Sequence, residues 1–353
     1  MLLLRESLEI TSKSVKQPVT GGLQRVWPVA RMARLRDRWA IPQRRLRTET
    51  ALGTPLLSPR ENFIRLVSRP EGEINLAYAA LQIAGEEYPG LDTVAYLGRI
   101  ALLGERVKRR LPARHSVYDA IHAINHVLFE EEGFQGNNKD YYDPRNSYLN
   151  EVLDRGAGIP ITLSVLYMEV ARRAGHRLRG AGMPGHFLVA AGRGKSRIFI
   201  DAFHRGGLLS RKECIALAER SGALKVQRPK DRPPGRLTGK ELDAVERHVL
   251  PAVDTKTVLR RILINLKVLY ARQRDYERAL KASERIQVLS PDNWRNLSDL
   301  ARFQAQVGQF SEAVTSLRAF LQRAPSGADT RQAKDALRQL LTLSGRQERP
   351  QTG

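Results

Sequence analysis

Between residues 263 and 325 the chain repeats itself at an interval of 34 residues. Leu263, Leu266, Leu269 and Ala271 recur as Leu297, Leu300, Phe303 and Ala305. Tyr276, Ala279, Leu280, Ile286 and Pro291 recur as Phe310, Ala313, Val314, Phe320 and Pro325. The apolar positions fall mostly three and four apart, the spacing of one helical face, and each copy closes on a proline that cannot continue a helix. A period of this length with two such stripes describes stacked helical pairs. Each pair buries its apolar face only against its neighbours. The stretch ADTRQAKDALRQLLTLS (328–344) then forms a helix that closes the stack.

That period and its closing prolines are the pattern of tetratricopeptide repeats. Upstream the pattern changes. Short helices are predicted over 61–67 and 74–86, and YPGLD (88–92) is a turn. Val94, Leu97, Ile100, Leu103 and Val107 mark an amphipathic helix whose C-terminal end, RVKRR, is basic. Ser116 caps a further helix with the stripe Val117, Ile121, Ile124 and Leu128. A polar, turn-rich segment (136–158) holds one short helix, about 147–153, and precedes a helix over 159–174 that is apolar nearly all round and therefore buried. HFLVAAG and SRIFIDAF are strands, and Ser210-x-x-Glu213 is the capping box of a helix to about residue 220.

The resulting organisation is a basic, disordered extension (1–58), an α+β core with a helical lead-in (59–224), and a basic Pro/Gly-rich linker (225–247). An all-α repeat unit (248–345) and a short tail (346–353) follow. Composition fits a globular protein, with 42% hydrophobic residues and no apolar run near the ~20 residues of a membrane span. The single cysteine, Cys214, excludes an intramolecular disulfide and a cysteine-based zinc cluster, which points to a reducing, cytoplasmic setting. The net charge of +22 is uneven: Lys+Arg against Asp+Glu is 12 to 4 over residues 1–60, 21 to 17 over 61–212 and 26 to 16 over 213–353. No aromatic residues interleave with the basic ones as in single-strand binders, so RNA or ribosome binding is the lesser reading.

One constellation carries chemistry. A glycine-led helix at 159–174, then His186 opening a strand and Asp201 ending the next, is the order in which thiol hydrolases assemble Cys, His and Asp. The helix opens on Pro160 and holds no cysteine in its first two turns. Antiparallel pairing of the two strands would set His186 beside Asp201.

The stretches FQGNNKDYYDPRNSYLNEVLDRGAGIPITLSVLYMEVARRAG, MPGHFLV and IDAFHRGG resemble the SirB-type transglutaminase-like proteins, in which a papain-like core precedes tetratricopeptide repeats. The resemblance runs from about residue 60 to 340. It implies an α+β fold with a transglutaminase-like core and an antiparallel sheet. It matches the active enzymes' pattern at Gly158, Arg172, Gly175, His186 and Asp201, with Pro160 at the cysteine position. It also implies that Tyr142, Asp143, Asn146, Ser147 and Asn150, together with Pro160, line a cleft in front of that helix; the bland alternative for the loop residues is that they satisfy an irregular loop's own backbone.

Four side chains could in principle replace the thiol: Thr162, Ser164, Ser147 and Cys214. Thr162 lies about 200° around the helix from position 160, whereas Ser164 returns to the same face one turn deeper. Ser147 sits in the preceding polar segment. Cys214 follows Asp201 in a separate helix, the wrong order for a nucleophile. His122, His126 and Glu130 share a helix face at four-residue spacing, but Ala123 removes the glutamate of the zincin motif, and no metal or cofactor is expected. The sequence thus describes a non-catalytic core, His186 and Asp201 remaining, joined to repeats that bind a partner protein. The rival readings are a hydrolase or acyltransferase with a hydroxyl nucleophile, Ser164 first, and a basic adaptor for RNA or ribosomes.

Overall fold

The computed structural model describes residues 57–183, 185–192, 194–220 and 250–347. The expected extension (but for its last two residues), the linker 225–247 and the tail (but for its first two) lie outside the described residues. The chain divides into two compact units that meet in sequence at Val258 and Leu259.

The first unit opens with α1 (Pro59–Val67), α2 (Leu76–Gly85) and α3 (Thr93–Arg110). Each starts where a polar side chain accepts an otherwise unpaired helical N–H: Ser58, Asn75 and Asp92 take those of Glu61, Tyr78 and Ala95. α4 (Val117–Asn125), capped by Ser116, runs on through a π-helical turn at His126–Glu131. Two short strands, β1 (Gln135–Gly136) and β2 (Ala157–Gly158), pair in parallel and flank the polar segment and α5 (Leu149–Arg155). α6 (Pro160–Arg173) follows, buried at every position from Pro160 to Ala171, and packs against α3 and α5.

The sheet is antiparallel throughout. It consists of β3 (Arg179–Met183), β4 (His186–Ala191), β5 (Ile198–Asp201), β6 (Gly207–Leu209) and β7 (Ala252–Val253), in the order β6-β5-β4-β3-β7. α6 lies along β4, the central strand. α7 (Arg211–Arg220) buries Cys214 and Ala218 with Leu188, Phe199 and Met183 in one apolar cluster. The architecture is α+β: a helical lead-in, an antiparallel sheet and a C-terminal all-helical region. Among the described residues no helix is long and apolar enough to cross a membrane.

The second unit takes up all but the first turn of α8 (Thr255–Arg272), then α9 (Tyr276–Leu289), α10 (Trp294–Gln306), α11 (Phe310–Arg323) and α12 (Ala328–Gln347). The period is visible in packing as well as sequence. Leu280, Ile286, Leu297, Leu300, Phe303, Val314 and Phe320 are all buried, Tyr276 stacks on Phe303, and Trp294 tilts against Phe320. It is visible in the backbone too. Arg274 (φ 61°) and Gly308 (φ 82°), one period apart, both take the left-handed conformation that turns the chain between the helices of a pair.

Candidate functional site

β4 and β5 pair with Val189 opposite Ile200 and Ala191 opposite Ile198. One more step brings Leu188 level with Asp201, and His186 lies two residues on, so its side chain shares Asp201's face of the sheet. His186 Nε2 and Asp201 Oδ2 are 2.9 Å apart, both largely shielded from water.

A third side chain, not singled out from the sequence, completes the group. His204, three residues past Asp201, brings Nδ1 to 2.8 Å from the same Oδ2. Its side chain remains 57% exposed. The other carboxylate oxygen, Oδ1, accepts the backbone N–H groups of Phe203 and His204, at 3.1 and 3.2 Å. Asp201 thus closes its own turn with one oxygen and gathers two imidazoles with the other. Burial favours its neutral form, but the hydrogen bonds from His186 and His204 outweigh burial and hold the carboxyl far below its usual range. The hydrogen bond to Asp201 raises the His204 imidazole above its usual value, against the opposing effect of burial.

The turn itself is clamped from three directions. Gly206, at φ 75°, donates its N–H to the Asp201 carbonyl and accepts at its own carbonyl from Asn125 Nδ2, at 3.0 Å. The fully buried Tyr167 hydroxyl donates to Asn125 Oδ1 at 2.9 Å, linking α6 through α4 to the turn. Arg205 donates to the carbonyl of Phe129 in the π-helical turn. Phe203, packed edge-on to His186, meets the ring of Tyr141 at 6.1 Å between centroids. The polar segment therefore reaches the site through Tyr141.

The remaining sequence candidates fall as follows. Pro160 is the first residue of α6 and is buried. A proline there costs nothing in hydrogen bonding, since that N–H has no helical partner. Thr162 serves the helix start: its hydroxyl accepts the Ile159 N–H and donates to the carbonyl of Asn146, at 2.7 Å. Ser164 is fully buried, and among the described residues no base hydrogen-bonds to its Oγ. Ser147 Oγ and Asn150 Oδ1 are likewise buried without a hydrogen-bond partner among the described residues.

Asn146, fully buried, donates to the Asp140 carbonyl and accepts from Asn137. Asp143 pairs with Arg145 and Arg155. Those two side chains are therefore engaged in holding their own loop. Tyr142 stands about half exposed. On α4 and its π-helical extension, His126 pairs with Glu130 at 2.6 Å and with Glu131 at 3.2 Å. His122 does not join them as a three-donor group. Among the described residues, the group of three donors with metal-compatible spacing is His186, Asp201 and His204.

Comparison with known proteins identifies the family of each part of the chain. The transglutaminase-like superfamily matches residues 95–263, and a tetratricopeptide repeat family matches 266–338. A UPF0162 protein of Xylella fastidiosa is 35% identical over 272 residues, covering 77% of this chain and 91% of that one. A UPF0162 protein of Vibrio cholerae is 25% identical over 206 residues, covering 58% and 69%. The F-box only protein 21 of Mus musculus is 43% identical over a shorter stretch of 100 residues, 26% of this chain and 16% of that one. No solved structure gives a significant match. With the transglutaminase-like core, the repeats and 35% identity across nearly all of a relative's length, the chain belongs to the UPF0162 protein family.

Proposed function

We propose that this chain is a non-catalytic transglutaminase-like protein that acts as an adaptor, with its tetratricopeptide unit docking a partner protein. The observation that carries the reading is Pro160. The first turn of α6, where the family pattern seats the thiol, holds a buried proline, and the nearest hydroxyls either cap the helix (Thr162) or lie sealed within it (Ser164). His186 and Asp201 keep the base-and-orienter geometry of acyl-transfer enzymes without a coupled nucleophile. In this reading the pair stabilises the Asp201 turn. The repeats supply the second half: stacked helical pairs present extended surfaces that bind peptides and proteins.

The test is capture of partners by the full chain and by a chain ending at residue 247, from the native cell. A partner retained by the full chain and by a His186→Ala full chain, but lost on truncation, is the expected result. Partners held equally by the truncated chain would remove the adaptor role from the repeats.

A further inference from the structure

A pair that only orients or stabilises needs one imidazole on Asp201; this site has two. His186 Nε2 and His204 Nδ1 converge on the same Oδ2, at 2.9 and 2.8 Å. The second of these comes from a solvent-facing side chain, whose charge pairing with Asp201 is screened by water and contributes little to stability. The arrangement has a simpler chemical sense. One donor atom from each of the three residues lies within 4.8 Å of the other two. A tetrahedral ion with bonds of roughly 2.0–2.2 Å sets neighbouring donors roughly 3.3–3.6 Å apart. The two nitrogen–oxygen separations, now 2.9 and 2.8 Å, therefore need to widen by roughly 0.4–0.8 Å to admit one.

The surroundings are those of a held site. Asp201 Oδ1 is fixed by the N–H groups of Phe203 and His204, which keeps Oδ2 aimed at both rings. The turn that carries His204 is locked through Asn125 to the buried Tyr167. Hydrogen bonds behind the donor atoms are what orient metal ligands and preserve their geometry. The exposed side of His204 supplies an entry path for an ion.

We propose that His186, Asp201 and His204 bind a divalent transition-metal ion of the zinc class through two imidazole nitrogens and one carboxylate oxygen. Two imidazoles with one carboxylate suit zinc, cobalt, nickel or iron; magnesium and calcium take mainly oxygen donors. In the metal-free site the two imidazole nitrogens face Asp201 as N–H donors. On binding they present lone pairs instead, each neutral ring moving its proton to its other nitrogen, and any further proton passes to solvent. The inference goes beyond the adaptor reading and does not depend on it.

The experiment is a titration of the tag-free full chain, stripped with chelator, with Zn²⁺ by calorimetry, with bound metal counted by mass spectrometry. One Zn²⁺ per chain with Kd below about 1 μM is expected. His204→Ala and His204→Gln, changes at an exposed side chain, should each weaken binding at least ~100-fold while the circular-dichroism spectrum is retained. A double variant of the separate surface pair, His115→Ala with His176→Ala, whose Nε2 atoms lie 3.0 Å apart, should bind as wild type does. No saturable binding of Zn²⁺, Co²⁺ or Ni²⁺ by the wild type would overturn the proposal. So would equal binding by both His204 variants. Zn²⁺-dependent turnover that needs His186 would keep the metal site and remove the non-catalytic reading; binding without turnover keeps both.

Discussion

Gly206→Ala lowers the unfolding free energy by about 3 kcal/mol in urea titrations followed by circular dichroism. The left-handed φ of 75° alone costs a non-glycine residue roughly 1 kcal/mol. The larger part comes from contact: a Cβ at 206 would lie 2.0 Å from Asn125 Oδ1 and 2.6 Å from its Nδ2. Asn125 must then swing away, losing its bond to the Gly206 carbonyl and its bond from the buried Tyr167 hydroxyl, each worth about 1 kcal/mol. Combining Gly206→Ala with Asn125→Ala removes the clash, so the double variant should be markedly less destabilised than the sum of the singles. A loss below about 1 kcal/mol for Gly206→Ala would mean that the turn is not clamped in this way.

The second large effect is at Asp201. Asp201→Ala is expected to cost about 4 kcal/mol, because it removes a buried carboxylate and strands two backbone N–H groups and the shielded His186 imidazole at once. Asp201→Asn should cost less than half of that. Its carbonyl still accepts from Phe203 and His204, and its amide can donate to either imidazole once the ring changes tautomer. The ordering Ala far below Asn assigns the stabilisation to the turn's hydrogen bonds; equal losses would assign it to the charge. The wild type should show the matching pH dependence. The folded-state pKa of Asp201 is depressed, so its contribution is complete above the ordinary aspartate value near 4 and is lost as pH falls below it. His204 is shifted the other way: its contribution is complete below about 6.5 and is lost as pH rises through the raised value.

Much of this fold was legible because its helices obey strong local rules. The repeat at 34 residues, the capping residues Ser116 and Ser210, and the all-apolar α6 each carry their own signal. The order of His186 and Asp201 on successive strands was enough to expect them on one face. Strand β3 was not legible: RGAGM has no alternation, and Gly180 is there because Phe187 and Val253 press against it from β4 and β7. Its signal lies in partners distant in sequence. β6 and β7 are too short, at three and two residues, to show a period.

At the site, His204 was within the quoted stretch IDAFHRGG but carried no periodic pattern. Its meaning comes from the i+3 turn that folds it back onto Asp201. Asn125 and Tyr167 were hidden for the same reason: on sequence they are two more residues of buried helices, and only the crossing of α4 and α6 makes them a clamp. The polar segment before α6 reaches the site through the ring of Tyr141, which meets Phe203.

The central claim, that this core holds a base and its orienting carboxylate without a nucleophile, meets its most direct test in turnover. The purified full chain and its His186→Ala variant would be compared on amide, ester and thioester acyl donors, with water and primary amines as acceptors, with and without Zn²⁺. A fluorophosphonate probe would be mapped by peptide mass spectrometry in parallel. The account predicts equal background rates for the two proteins and no label on Ser147 or Ser164. Turnover above background that disappears in His186→Ala, or labelling of Ser164, would contradict it.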